Sequence, residues 1–137
     1  MTPPRPEFIS VAPQFTVPDV VDAAAYYCDV LGFENRGFFG DPPEFVMLGR
    51  GEVEVFFNQS RSVAGQPRLR AGVGYDAYFH VTGIRPLFEE LKERGATIIE
   101  GPLTRSYGMH EIVIEDCHGL RLAFGEDPGR PSTRGEE

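Results

Sequence analysis

The hydrophobic pattern of one segment of the chain returns in the second half. Residues 14–20 alternate between polar and apolar side chains, as a strand does, and then change to helical spacing; residues 78–84 do the same. The matching apolar positions are Phe15 with Phe79, Val17 with Val81, and Val20 with Ile84. Both helical segments end at a glycine. A repeat of this length favours one body of two similar halves over two independent domains.

The first half of the chain predicts one strand, one helix and three further strands. The first strand covers residues 9–17. Asp19 is placed to cap the following helix, because its carboxylate can accept a hydrogen bond from an early backbone amide. Gly32 suits the left-handed position at the end of that helix. Apolar runs bounded by turn residues predict the remaining strands at 33–39, 45–49 and 53–57.

The second half predicts the same order of elements. A strand at 75–81 leads to a helix with Pro86 in its first turn, where the missing amide costs little. The other strands are predicted at 96–100, 109–114 and 120–124. We therefore predict a single α+β domain of two βαβββ modules. The modules cover about residues 9–59 and 75–126, with a joint at 60–74 and a frayed tail at 127–137.

The composition is that of a soluble globular protein. The chain has 137 residues, 41% hydrophobic and 25% charged, which is enough for one domain with its own core. No apolar run approaches the roughly 20 residues that cross a bilayer, and the first residues lack the apolar core of a signal peptide. Cys28 and Cys117 alone make no disulfide framework. We expect a cytoplasmic protein without a membrane partner.

The formal charge of the chain is −8, and it excludes a nucleic-acid surface, which would need a concentration of lysine and arginine. The same charge would attract a cationic ligand. Taken alone, it is better explained by the solubility that surface carboxylates provide.

Strand alternation predicts which side chains point away from the helices, onto what we call the far face of each sheet. Apolar positions such as Val17, Phe79 and Leu122 take the helix side. The far face then carries Gln14, Thr16, Glu54, Phe56, Asp76, Tyr78, His80, Glu111 and Arg121. Aromatic rings beside several polar groups are typical of a ligand site. A merely solvated sheet face is the alternative.

Three segments resemble the vicinal oxygen chelate superfamily, which contains glyoxalases, bleomycin resistance proteins and extradiol dioxygenases. Residues 17–34 are similar to the opening of these proteins, through Val17-Pro18-Asp19-Val20, Tyr26-Tyr27 and Leu31-Gly32-Phe33-Glu34. Residues 88–96 are similar to their second helix, and residues 107–120 to their closing hairpin. Cys117 and His118 depart from the usual Asp-Pro-Asp-Gly turn there. The order and spacing of the segments, over about residues 11–126, make the resemblance specific.

The resemblance implies a U-shaped, eight-stranded cup, commonly completed by a second subunit, so a homodimer is expected. Metal-dependent members place four His or Glu ligands on the first, fourth, fifth and eighth strands. Three of those positions fall here at Ala12, Asp76 and Ala123, with Glu54 near the remaining one. Alanine has no donor atom, and two carboxylates alone hold a divalent ion weakly. We therefore expect no metal and no cofactor.

The sequence is most similar to the bleomycin-resistance branch, whose members bind a cationic drug in clefts shared by a dimer. The resemblance implies a metal-independent protein that sequesters a cationic or aromatic small molecule in such a cup. No catalytic residue is predicted. The predicted ligand-binding residues are Gln14, Glu54, Phe56, Asp76, Tyr78, His80, Tyr107, Glu111 and Arg121.

Two alternative functions stay open at this point. The first is a glyoxalase-like lyase or a dioxygenase, with a displaced divalent metal site formed by His80, Glu111 and Glu54. The second is an interaction module in which the sheet face mainly serves dimerisation.

Overall fold

The structure, a computed structural model, describes residues 3–64 and 74–129. The first module consists of β1 (Gln14–Val17), α1 (Val20–Asp29), β2 (Glu34–Phe39), β3 (Phe45–Arg50) and β4 (Val53–Gln59), with a short 3-10 helix at Arg61–Val63. The second consists of β5 (Ala77–His80), α2 (Ile84–Glu93), β6 (Thr97–Thr104), β7 (His110–Glu115) and β8 (Arg121–Glu126). The predicted α+β fold of two βαβββ modules is confirmed. Most of the predicted joint and tail lies outside the described residues.

Each module folds into a four-stranded sheet with the same strand order. The orders are β1-β4-β3-β2 and β5-β8-β7-β6. In both sheets the first strand of the module pairs in parallel with the last, and the other neighbours are antiparallel. This equivalence of the two sheets is what the repeated hydrophobic pattern predicts.

The two helices begin in different ways. Asp19 caps α1 as predicted, since its carboxylate accepts hydrogen bonds from two early backbone amides at 2.9 and 3.0 Å. The residue before α2 is Gly83, with φ of +73° and no side chain to act as a cap. The carboxylate of Glu126, at the end of β8, acts as the cap instead and accepts hydrogen bonds from the amides of Gly83 and Ile84 at 3.0 and 2.9 Å. Within the described residues, neither helix is long and apolar enough to cross a membrane.

The first and sixth strands differ most from their predicted limits. The first begins at Gln14 rather than at residue 9, and residues 3–13 form no regular structure. Pro13 has no amide to donate to a ladder, although its carbonyl still accepts from the Phe56 amide at 2.9 Å. β6 continues to Thr104 instead of ending at residue 100, because two register shifts carry it past Pro102.

The predicted alternation of faces is confirmed on the helix side of both sheets. Alternate residues of β4 are buried there, and the buried side of α1 packs on the first sheet. In β7 and β8 the residues of both faces are buried, at 111–114 and 122–125. The buried residues of both modules form one hydrophobic cluster, which includes Val17, Tyr27, Leu48, Phe57, Phe79, Ile112, Leu122 and Phe124. The two halves therefore share a single core.

The modules contact each other through their helix sides. Tyr27 of α1 donates a hydrogen bond of 2.6 Å to Asp116 in the β7–β8 turn. Arg50, at the end of β3, donates to the carboxylate of Glu90 in α2 at 2.8 and 3.0 Å. Each helix thus meets a hairpin of the other module. The far faces of the two sheets are therefore turned away from this junction.

Candidate ligand-binding site

The carboxylate of Glu111 is the centre of the far face of the second sheet. Glu111 is 0% exposed, although it is a charged residue on a strand face without a helix. Its Oε2 accepts hydrogen bonds from the hydroxyls of Tyr78, at 2.7 Å, and Tyr107. Its Oε1 accepts from Nε of Arg105 at 2.7 Å. Three donors satisfy the buried charge, as burial of an ionised group requires.

A glycine makes room for this arrangement. Gly125 of β8 lies opposite Glu111 of β7 and beside His80 of β5 in the sheet register. A Cβ atom at Gly125 would lie only 1.9 Å from the Tyr78 hydroxyl. Tyr78 can therefore lie flat across β8 and reach Glu111 only because residue 125 has no side chain.

Arg105 reaches Glu111 from the turn between β6 and β7. Backbone hydrogen bonds between Arg105 and Met109, and from Gly108 back to Arg105, close this turn at 2.9 Å each. The guanidinium then donates to the Tyr75 hydroxyl at 2.9 Å and to Glu100 at 2.6 Å, besides Glu111. Arg105 thus lies between two carboxylates and holds the turn against the far face.

The electrostatics of the cluster fix its protonation state. Burial alone would raise the pKa of Glu111, but the hydrogen bonds from Arg105, Tyr107 and Tyr78 outweigh it and lower that pKa below its usual value. The hydrogen bond to Glu111 raises the pKa of Tyr107 to about 12. Burial and the same carboxylate raise the pKa of Tyr78. At neutral pH Glu111 is therefore ionised and the phenols of Tyr78 and Tyr107 are neutral.

Aromatic rings surround the buried carboxylate and reach the surface. Tyr107 is 62% exposed, and His80 is also exposed. The ring centroids of Tyr75 and Tyr78 are 6.2 Å apart, and those of Tyr78 and His80 are 5.2 Å apart. We call Tyr75, Tyr78, His80, Tyr107 and Glu111 together the tyrosine face. It brings together four of the nine predicted site residues.

Two further predicted residues lie at the end of the same sheet where β5 and β8 begin. Asp76 comes just before β5, and its carboxylate accepts a hydrogen bond of 2.8 Å from the Arg121 amide. The guanidinium of Arg121 lies 3.6 Å from the carboxylate of Glu115. Both residues therefore join the start of β5 to the start of β8.

The other three predicted residues lie on the far face of the first sheet. Phe56 sits between Gln14 and Met47 in the register, and Gln14 donates to Asn58 at 3.2 Å. Glu54 lies 3.6 Å from Arg36. Rings continue across this sheet, with centroids 5.7 Å apart for Phe45 and Phe56 and 6.0 Å apart for Phe39 and Phe45. We call Phe39, Phe45, Met47 and Phe56 the phenylalanine face.

The residues present do not fit a metal ion. Of the four positions at which the resemblance implies metal ligands, two are Ala12 and Ala123, which have no donor atoms. Within one chain the displaced site suggested for His80, Glu111 and Glu54 is not assembled, because Glu54 is on the other sheet. Both Glu111 oxygens also already accept hydrogen bonds. Among the described residues, no group of three or more His, Cys, Asp and Glu side chains could hold a metal.

Three residues of the hydrogen-bonded network around Glu111 are not predicted from the sequence: Tyr75, Glu100 and Arg105. Arg105 lies in a turn, to which strand alternation does not apply. Glu100 reaches the far face through the irregular register of β6. The one signal in the sequence is that a single arginine lies close to Glu100, Tyr107 and Glu111 in the chain.

The fold and the far-face sites define a class of protein. The family model of the glyoxalase/bleomycin resistance protein/dioxygenase superfamily matches residues 10–124. The chain therefore belongs to this superfamily, as its resemblance to the vicinal oxygen chelate proteins predicts. A comparison with curated protein sequences gives no significant match.

Solved structures share the fold over nearly their whole length. TioX from Micromonospora sp. ML1 is 16% identical, with 88% of this chain and 99% of TioX covered and a TM-score of 0.70. UcmS2 is 24% identical, with 87% and 98% covered and a TM-score of 0.66. A superfamily member from Sphaerobacter thermophilus DSM 20745 is 22% identical, with 88% and 98% covered and a TM-score of 0.67. At these identities the likeness shows the fold alone.

Proposed function

We propose that the protein binds a cationic or aromatic small molecule, without a metal ion, between the tyrosine face of one subunit and the phenylalanine face of a second. The observation that carries this proposal is the buried, ionised Glu111, with tyrosine rings around it that are held by their hydroxyls and reach the surface. Such rings are fixed before a ligand arrives, so little conformational entropy is lost on binding.

The charge around the tyrosine face supports a cationic ligand. The two carboxylates of Glu100 and Glu111 pair with the single guanidinium of Arg105, so these three groups together carry a negative charge. The faces of phenol rings attract cations, with about 0.5–2 kcal/mol per contact. The formal charge of −8 would add long-range attraction.

The position of the two faces supports a dimer. Within one chain the modules meet through their helix sides, so Phe56 and Tyr78 face away from the same junction. A cup that uses both of them as walls therefore takes each wall from a different copy. Phe39, which is 52% exposed, would be covered in that arrangement.

Titration calorimetry tests the proposal with bleomycin, the planar cation ethidium and the planar anion fluorescein. We expect the two cations to bind and the anion to bind at least about tenfold more weakly. Tyr107→Ala should weaken cation binding roughly fivefold, a loss of about 1 kcal/mol. Tyr107→Phe, which keeps the ring, is the matched control. Absence of heat for every compound, or an unchanged affinity in Tyr107→Ala, would contradict the proposal.

A further inference from the structure

A concavity lies at the junction of the two modules. We call it the junction cleft; its volume is about 500 Å³. One wall is the β3–β4 hairpin at residues 50–53, and the other is the start of α2, with Pro86 and Leu87. Its floor consists of Phe33, Phe79 and Phe124. Known small-molecule sites have roughly 300–1,000 Å³, so this cleft is large enough for one.

An ion pair links the two walls of the cleft. Arg50 of the hairpin donates to both carboxylate oxygens of Glu90 in α2, and also to the Leu31 carbonyl at 2.9 Å. The hydrogen bonds from Arg50 lower the pKa of Glu90, so the pair stays charged at neutral pH. A bidentate pair of this kind has a fixed geometry. It fixes the distance between the two modules at this point.

The mouth of the cleft is open. Gly51 and Gly83 lie on opposite rims, and a Cβ atom at either position would meet no other atom within 4 Å. The floor behind them is aromatic, with ring centroids 6.4 Å apart for Phe33 and Phe79 and 5.4 Å apart for Phe79 and Phe124. An entering molecule would therefore pass between two glycines, which have no side chains, and contact the aromatic rings of the floor.

The charges on the walls determine the kind of occupant. Arg50 and Glu90 already satisfy one another, and Arg94 completes the pair from the next turn of α2 at 3.0 Å. Glu126, below the start of α2, accepts from two backbone amides. Glu52 also lines the cleft but is exposed at the tip of the β3–β4 hairpin. The interior behind it offers mainly apolar area.

We infer that the junction cleft is a second ligand site, which takes an uncharged aromatic or aliphatic molecule of drug size. It shares His80 with the tyrosine face, but the rest of its lining is its own, and it does not depend on the proposed function. Because its walls belong to different modules, an occupant stabilises the junction as well as filling the cleft.

Nile red, an uncharged planar dye whose fluorescence rises in apolar surroundings, is a suitable probe. We expect it to bind the wild type, and both Leu87→Trp and Val53→Phe, which fill the cleft from opposite walls, to weaken binding roughly tenfold or more. Glu89→Trp, on the exposed side of α2, is the matched control and should bind as the wild type does. Circular dichroism and thermal melting establish that each variant is folded.

Two variants on the far faces separate this site from the cup. Tyr107→Ala and Phe39→Ala should leave Nile red binding unchanged within about twofold. Loss of binding in either one would overturn the inference, as would no fluorescence rise with the wild type or full binding by folded Leu87→Trp. Methyl NMR of the wild type also distinguishes the junction cleft from the far faces, without any variant. Nile red should shift the signals of Val53 and Leu87 but not that of Met47; the reverse would place the dye on the phenylalanine face.

Discussion

The hydroxyl of Tyr27 donates a hydrogen bond of 2.6 Å to the buried carboxylate of Asp116, and so joins α1 of the first module to the β7–β8 turn of the second. The other oxygen of Asp116 accepts from the amides of His118 and Leu120 at 2.8 and 2.9 Å. Burial raises the pKa of this carboxyl, whereas the three donors oppose that rise. One hydrogen-bonded group therefore shapes the closing turn and connects the two halves of the core.

Removal of the Tyr27 hydroxyl should destabilise the whole chain. We expect Tyr27→Phe to lower the free energy of unfolding by about 1–3 kcal/mol, because a buried oxygen of Asp116 loses its donor. Urea denaturation measures this change. Tyr26→Phe is the matched control, since its half-buried hydroxyl donates over 3.4 Å to the Glu115 carbonyl and should contribute less than about 1 kcal/mol. Equal losses in the two variants would contradict this role for Asp116.

Glu111 should make stability fall in acid. Its pKa is lower in the folded chain than the ordinary value of 4.5, so the unfolded chain takes up the proton first as the pH drops. The stability that this carboxylate contributes is therefore fully present above about pH 4.5, and it is lost as the pH falls through the pKa of the folded state.

The comparison of wild type with Glu111→Gln isolates this contribution from that of Glu90, whose pKa is also lowered. We expect the wild type to be the more stable at neutral pH, and the difference to shrink as the pH falls below about 4.5. Urea denaturation at a series of pH values measures it. A difference that does not change with pH would show that Glu111 acts only through packing.

Gly125 should be intolerant of even one methyl group because of Tyr78. The added Cβ of Gly125→Ala would lie 1.9 Å from the phenol oxygen, so the ring must leave Glu111. We expect a loss of about 1–3 kcal/mol in the free energy of unfolding. In a Tyr78→Ala background the same substitution should cost much less, and this non-additivity identifies the contact. Gly129→Ala, with its nearest contact at 3.5 Å, is a neutral control. Additive losses would place the strain elsewhere.

Most of the fold could be predicted from the sequence because the same hydrophobic pattern occurs in both halves of the chain. The cap at Asp19 and the burial of alternate residues such as Val55 and Phe57 follow from local chemistry and are found as expected. The limits of β1 and β6 could not be predicted. Both depend on whether a ladder continues past a proline, and the partner strand decides this through its register.

The candidate site was predictable only in part, for a similar reason. Alternation along β5 and along β7 places Tyr78 and Glu111 on the same face, and the structure joins them by a hydrogen bond of 2.7 Å. Alternation does not show how the two sheets are oriented relative to one another. The sequence therefore predicts Phe56 and Tyr78 in one pocket, but not which chain of a dimer supplies each residue. Arg105 depends on the path of a turn, which the pattern of the strands does not contain.

Mixed dimers should show whether two chains share each cup. Phe39→Asp damages the phenylalanine face, and Tyr107→Ala damages the tyrosine face; both residues are largely exposed, so the fold should tolerate the changes. The Tyr107→Ala homodimer should bind ethidium roughly fivefold more weakly than the wild type, and the Phe39→Asp homodimer at least about tenfold more weakly. A heterodimer with one variant in each subunit, purified through two tags, should regain one full-affinity site, since one of its two cups combines both intact faces.

The reciprocal heterodimer is the control, with both substitutions in one chain and a wild-type partner. If each cup takes its walls from different chains, both cups are damaged here and no full-affinity site remains. If each cup lay within one chain, the wild-type subunit would keep its site and the first heterodimer would have none. The ethidium stoichiometry of the two heterodimers, measured by calorimetry, therefore gives opposite results for the two arrangements, and a full-affinity site in the reciprocal heterodimer would refute the shared cup.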